Sequence, residues 1–155
     1  MILTLVASGC GSGDETGVLS GRVVRVLDGD TIVVAGVGTV RYLGVDTPEL
    51  HHPRKPIERF AARAAVFNRR LVAGVDVRLE TDREVHDAYG RTLAYVYVGR
   101  VMVNAALVRA GMAESFAFAP NTTHKDLFDD LEADARTAGR GQWGPLEGGP
   151  PYGVP

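Results

Sequence analysis

Three early runs of the chain, Val18–Leu27, Thr31–Ala35 and Thr39–Val45, are predominantly apolar and rich in β-branched side chains. That pattern predicts strands. Asp28-Gly29 separates the first two runs and Gly36-Val37-Gly38 the next two, both strong turn chemistry, so the three strands form an antiparallel meander. Pro53 and Pro56 then break the chain. Beyond them Ile57, Phe60, Ala61, Ala64, Phe67 and Leu71 recur at helical spacing until Gly74 offers a C-cap. Val75–Thr81 and Arg91–Val98 read as two more strands joined by a polar loop. After Gly99-Arg100 a short helix carries Val103, Ala106, Leu107 and Ala110 inward and ends before Gly111. Thr123 with Asp126 has the form of a capping box opening a last helix, whose Leu127, Leu131 and Ala138 share a face before Gly139. Five strands with one helix between the third and fourth is the order of an oligonucleotide-binding barrel, an α+β architecture with about three helices in all.

Length adds that 155 residues suit one domain with a core of its own. The expected organisation is an N-terminal segment over 1–17, a folded domain over 18–144 and a disordered Gly- and Pro-rich tail over 145–155. Hydrophobic residues at 45% and charged residues at 23% are ordinary for a globular protein, and no run has the apolar length of a spanning helix. A net charge of -2 argues against a protein whose whole task is to coat nucleic acid. The cations are nearly all arginine, with lysine only at Lys55 and Lys125.

The single Cys10 excludes an internal disulfide. It closes Leu5-Val6-Ala7-Ser8-Gly9-Cys10 after an apolar run from Ile2, which resembles the end of a bacterial lipoprotein signal, although the run lacks a positive start and is short for one. The expectation is export, as an envelope protein held to the membrane only by a lipid anchor at Cys10, or otherwise as a secreted protein. Gly11 to Gly17 would be the flexible tether.

Candidate chemistry concentrates in three strings: Asp28-Gly29-Asp30-Thr31, then Arg41 through Asp46-Thr47-Pro48-Glu49, then Asp87-Ala88-Tyr89-Gly90-Arg91. They supply hard oxygen ligands, a spare carboxylate and two guanidinium groups, the equipment for phosphodiester hydrolysis. Strand alternation places Arg41, Leu43 and Val45 on one face and Asp46 on the other, with Pro48 ending the strand. The hairpin brings Asp30 to the start of a neighbouring strand, where it can approach Asp46. Two carboxylates with a backbone carbonyl suit Ca²⁺, and no Cys/His cluster argues for zinc. Blander roles exist for each: Asp-Gly pairs are mostly turns, Arg91 could simply pair with Asp87, and His51, His52, His86 and His124 read as solvated or capping. Phe116 and Phe118 stand evenly between core packing and base stacking. Tyr95 and Tyr97 read as barrel surface, and Trp143 as packing the last helix down.

In this order and spacing the strings resemble the staphylococcal-type thermonuclease family. The likeness runs from Val18 to Trp143 and includes Arg41 through Glu49, Tyr89-Gly90-Arg91 with Leu93-Ala94-Tyr95, Met102 through Gly111, and Pro120-Asn121 with Thr123-His124. It implies a Ca²⁺-dependent, sugar-non-specific endonuclease acting as a monomer on single-stranded DNA and RNA and leaving 3′-phosphate ends. By position it implies Asp30, Asp46 and the Thr47 carbonyl as metal ligands, Arg41 and Arg91 as the phosphate clamp, and Glu49 as the carboxylate that activates or orients water. Lys55, Tyr89, Phe116 and Phe118 fall on substrate-binding positions. The chain departs from the family pattern where two pocket tyrosines become Phe116 and Phe118, where a lysine becomes Ala88, and in an acidic last helix bearing Asp126, Asp129, Asp130, Glu132 and Asp134. The rival class is a catalytically inactive nucleic-acid-binding barrel, which typically lacks the carboxylates and arginines kept here. A third is an envelope protein that uses the barrel to contact other proteins, which would show no metal dependence.

Overall fold

The structure, a computed structural model, describes residues 17–49 and 60–145. Cys10, tether residues 11–16, Lys55, Ile57, Pro53, Pro56, His51, His52 and residues 146–155 lie outside the described residues.

The described residues form eight strands, three α-helices and a short 3₁₀ turn in the order β1 (Val18–Val26), β2 (Thr31–Val34), β3 (Gly38–Tyr42), β4 (Val45–Asp46), α1 (Ala61–Val72), β5 (Asp76–Glu80), β6 (Thr92–Val98), β7 (Val101–Met102), α2 (Val103–Arg109), β8 (Glu114–Ser115), α3 (Lys125–Thr137) and a 3₁₀ turn at Gly141–Trp143. The five longer strands run in the order β3-β2-β1-β5-β6, and a parallel pairing of β3 with β6 closes them into a barrel. Strand β1 serves both halves: its first part pairs with β5 and its second with β2, across a register shift between Val23 and Arg25 that bends the strand around the corner. Inward alternation fills the barrel with Val23, Ile32, Val34, Val40, Val77, Leu79 and Val96. Two short strands decorate it, β7 on the edge of β6 and β8 against β4.

Four expectations need correcting. The third strand does not run on to Val45. Gly44 has φ +72, a left-handed conformation, and a Cβ there would lie 2.6 Å from the Phe128 ring, so only glycine lets the chain turn and α3 pack so closely. The chain leaves the barrel at this point, and Val45–Asp46 pairs with Glu114–Ser115 instead. On α3 the buried face is Phe128, Leu131 and Ala135, while Leu127 is exposed, because the helix starts at Lys125 after a His124 N-cap with no side-chain cap bond. The Thr123 amide donates to Asp82 rather than closing a capping box. Tyr95 is buried, not surface: its hydroxyl donates to Asp82 at 3.0 Å and its ring meets His124 edge-on.

Helix α1 ends as expected, with Gly74 at φ +71 beyond the cap. Its inner face is Ala61, Ala64, Ala65, Phe67, Asn68 and Val72, the small residues letting the helix lie close to the barrel. Trp143 packs against α3, with the Arg136 guanidinium 3.5 Å above its ring.

Candidate active site

The break at Gly44 decides the geometry of the candidate residues. On a continuous strand Arg41 and Asp46 would face opposite ways; after the turn they meet, with Arg41 Nη2 2.7 Å from Asp46 Oδ1. The same nitrogen lies 3.3 Å from Asp30 Oδ2, so the two carboxylates flank one guanidinium. Arg41 Nη1 donates to the carbonyls of Tyr42 and Val45, both at 2.8 Å, which fixes the plane of the fork.

Asp30 is only 5% exposed, a costly place for a carboxylate unless its oxygens are satisfied. They are. Oδ1 accepts from the Thr31 hydroxyl at 3.0 Å, and Oδ2 accepts from the Thr47 amide at 2.9 Å and the Thr47 hydroxyl at 2.8 Å. Thr47, itself buried, thereby ties the chain after β4 to the β1–β2 turn. Gly29 makes this approach feasible, since a Cβ there would sit 2.7 Å from Thr47 Oγ1 and 2.9 Å from the Ala64 methyl. Asp46 is half-exposed and Glu49 exposed, on the rim that follows.

Arg91 immediately precedes β6, the strand that runs parallel to β3 with Arg41 opposite Leu93. Leu93 and Arg41 stand side by side on the paired strands, and Arg91 lies in the loop that leads into β6, two residues before Leu93. Asp87 shapes the loop that presents Arg91: one oxygen accepts from the amides of Tyr89 and Arg91, and the other accepts from Arg91 Nε at 2.6 Å. Burial would raise the Asp87 carboxyl, but these bonds and the Arg91 charge outweigh it and hold it below the usual carboxylate range. Tyr89 is 87% exposed, with the Arg91 guanidinium 5.6 Å from its ring centroid.

Strand β8 lies against β4, and the Phe116 amide donates to the Gly44 carbonyl at 2.9 Å. Phe116 and Phe118 are 49% and 64% exposed and meet edge to face at 4.5 Å. They are a surface aromatic pair beside the Asp46 strand, not core.

Among the described residues no group of three His, Cys, Asp or Glu side chains converges to hold a metal. The Asp30 and Asp46 pair is what a cation would meet. The two oxygens that face Arg41 Nη2, Asp30 Oδ2 at 3.3 Å and Asp46 Oδ1 at 2.7 Å, lie no more than about 6 Å apart, and Ca²⁺ spans oxygens up to about 5 Å apart. The donor set is hard oxygen throughout, and Arg41 already stands there as a cation between the carboxylates.

A family model described as staphylococcal nuclease homologue matches residues 39–145. The chain belongs to the staphylococcal nuclease family. It is 37% identical over 125 residues to the thermonuclease of Staphylococcus hyicus, covering 79% of this chain and 74% of that protein. It is 40% identical over 117 residues to the thermonuclease of Staphylococcus intermedius, covering 74% and 70% respectively. Against endonuclease YncB of Bacillus subtilis (strain 168) identity is 40% over 118 residues, spanning 73% of this chain and 56% of that protein. The matches make this member of the family a nuclease, a hydrolase whose substrate is nucleic acid.

The structure also gives roles to buried polar residues to which the sequence assigned none. Asn104 is fully buried on α2; its Oδ1 accepts from the Val96 amide and its Nδ2 donates to the Leu43 carbonyl, joining β6 to the turn before Asp46. Asn121 exchanges two hydrogen bonds with the Glu84 backbone, and Asp82 accepts from Tyr95 and the Thr123 amide, so the Arg91 loop and the Phe118 loop are held together. Asn68 on α1 ties the Tyr42 hydroxyl to the Asp28 carbonyl. The available signal was an asparagine on the apolar face of an amphipathic helix, a polar residue that must be partnered when buried.

Proposed function

We propose that the chain is a Ca²⁺-dependent endonuclease, indifferent to the sugar, that cuts DNA and RNA to leave 3′-phosphate ends. The observation that supports this reading is the grouping of Asp30 and Asp46 about Arg41, with Arg91 in the loop that enters the strand paired with Arg41's own. Asp30, Asp46 and the Thr47 carbonyl would hold Ca²⁺, whose charge would draw the scissile phosphate in. Arg41, whose Nη2 faces the two carboxylates here, would turn that nitrogen to the phosphate oxygens as negative charge builds on them, and Arg91, held by Asp87 through Nε, would donate through its terminal nitrogens. Glu49 accepts a proton from the attacking water as its oxygen bonds to phosphorus. The bond from phosphorus to the 5′ oxygen breaks, and that oxygen takes a proton from solvent to give a 5′ hydroxyl. The exposed Phe116 and Phe118 rings and Tyr89 offer faces on which bases stack without regard to sequence, and Lys55 adds a phosphate contact.

Two arguments favour a protein that works outside the cell. Ca²⁺ sites built on two carboxylates fill only where calcium is plentiful, and unselective cleavage would endanger the cell that kept the enzyme inside. The string ending at Cys10 agrees, with lipidation there as the preferred form.

The test is a DNA-containing gel assay with Ca²⁺ and with a Ca²⁺ chelator, repeated on RNA. Cleavage of both substrates with Ca²⁺ alone is the expected result. Cleavage that survives chelation removes the metal from the reading, and binding without any cleavage points instead to an inactive oligonucleotide-binding barrel.

A further inference from the structure

Asn68 is the one polar side chain on the inner face of α1, and it is wholly buried. Its Oδ1 accepts from the Tyr42 hydroxyl at 2.8 Å and its Nδ2 donates to the Asp28 carbonyl at 3.0 Å. Both partners adjoin the candidate site. Tyr42 is 1% exposed, follows Arg41 in the chain, receives Arg41 Nη1 on its carbonyl and donates its own amide to the Asp30 carbonyl. Asp28 opens the Asp28-Gly29-Asp30 turn, which is wedged between Thr47 on one side and Ala64 on the other. Ala64 and Asn68 are one helical turn apart and share a face. One supplies clearance for the turn and the other grips it.

We propose that Asn68 is a positioning residue of the nuclease site, its amide holding the Asp28 carbonyl, and so the turn that carries Asp30, in register with the Arg41–Tyr42 strand. A burial role alone would be met better by leucine, since a buried amide must find partners for both of its ends. Here both partners belong to the two segments that carry Asp30 and Arg41. The proposal rests on the reading of Asp30 as a Ca²⁺ ligand.

Three variants separate positioning from stability, each assayed by calorimetric titration with Ca²⁺ alone, by thermal melting, and by kcat and KM on single-stranded DNA. Tyr42→Phe leaves Asn68 Oδ1 without its donor but keeps the grip on Asp28, so the melting temperature falls while the Ca²⁺ Kd stays within about threefold of the parent. Asn68→Leu loses the grip, and its Kd rises at least tenfold. The double variant Tyr42→Phe/Asn68→Leu replaces the buried pair with apolar groups, and the half-buried Asp28 carbonyl takes a water. Its melting temperature returns to within about 4 °C of the parent, yet its Kd remains at least tenfold weaker and kcat stays low. If Ca²⁺ affinity recovers together with stability in the double variant, Asn68 is a structural residue only and the proposal is overturned. If the parent itself binds no Ca²⁺, or binds it unchanged after Asp30→Ala, the reading of the site fails, and the proposal with it.

Discussion

Replacing Arg41 by lysine keeps the positive charge and removes the fork, which makes it a direct probe of what the guanidinium contributes. In the structure that group makes four contacts: the carbonyls of Tyr42 and Val45 through Nη1, and Asp46 and Asp30 through Nη2. An ammonium on a lysine stem can meet one carboxylate but cannot also bridge to the second and reach both carbonyls. The carboxylates keep a nearby cation, so the main structural loss is the two carbonyl bonds, at about 1 kcal/mol each. For a domain of this size a loss of about 2 kcal/mol lowers the melting temperature by roughly 4–8 °C. Turnover should fall further. Loss of one oriented donor to a developing anion costs roughly 10²–10³ in rate. The assay is hydrolysis of single-stranded DNA at saturating Ca²⁺ and 25 °C, where variant and parent are both folded, alongside a thermal melt. A melting temperature lowered as calculated, with kcat/KM reduced by less than about tenfold, or about 1.4 kcal/mol, would refute the reasoning. Arg41 would then be a brace for the Gly44 turn and not part of the chemistry.

Glu49→Gln swaps the proposed base for a near-isostere, so nucleotide binding should persist while most of the rate disappears; near-normal turnover would remove Glu49 from the mechanism. A third expectation concerns acid. Burial would raise the Asp82 carboxyl, but hydrogen bonds from Thr123, Tyr95 and Arg83 outweigh it and hold it below its ordinary value of 3.8. A carboxyl depressed in the folded state contributes its stability fully above that value and loses it as pH falls through the lower, folded one. Asp82→Asn should therefore cost stability at pH 7 and flatten the decline below about pH 4 seen by denaturant titration, and an acid limb as steep as the parent's would count against this.

Much of the barrel is legible in local chemistry. Asp28-Gly29 and Gly36 to Gly38 are turns because of their backbone freedom, β-branched runs make strands around them, and the apolar stripe ending at Gly74 makes α1, all of which depend on neighbours a few residues away. Arg41, Asp46 and Arg91 stand out as candidates because guanidinium and carboxylate groups in those strings have few bland uses together. What only the tertiary structure decided depends on contacts between distant segments. Gly44 breaks the third strand because Phe128 of α3 comes to rest where a side chain would be, and that break turns Asp46 toward Arg41 when simple alternation turns it away. The Tyr95 hydroxyl is buried because Asp82 and His124 close over it. Phe116 and Phe118 are exposed because β8 pairs with the strand that carries Asp46 and sits on the outside of the barrel. Asn68 looks like a flaw in an apolar stripe until the fold brings Tyr42 and Asp28 to its two ends. Local periodicity reports which face of an element is buried; it carries no record of what arrives against that face, because hydrogen bonds across the fold are satisfied only after the chain has closed on itself.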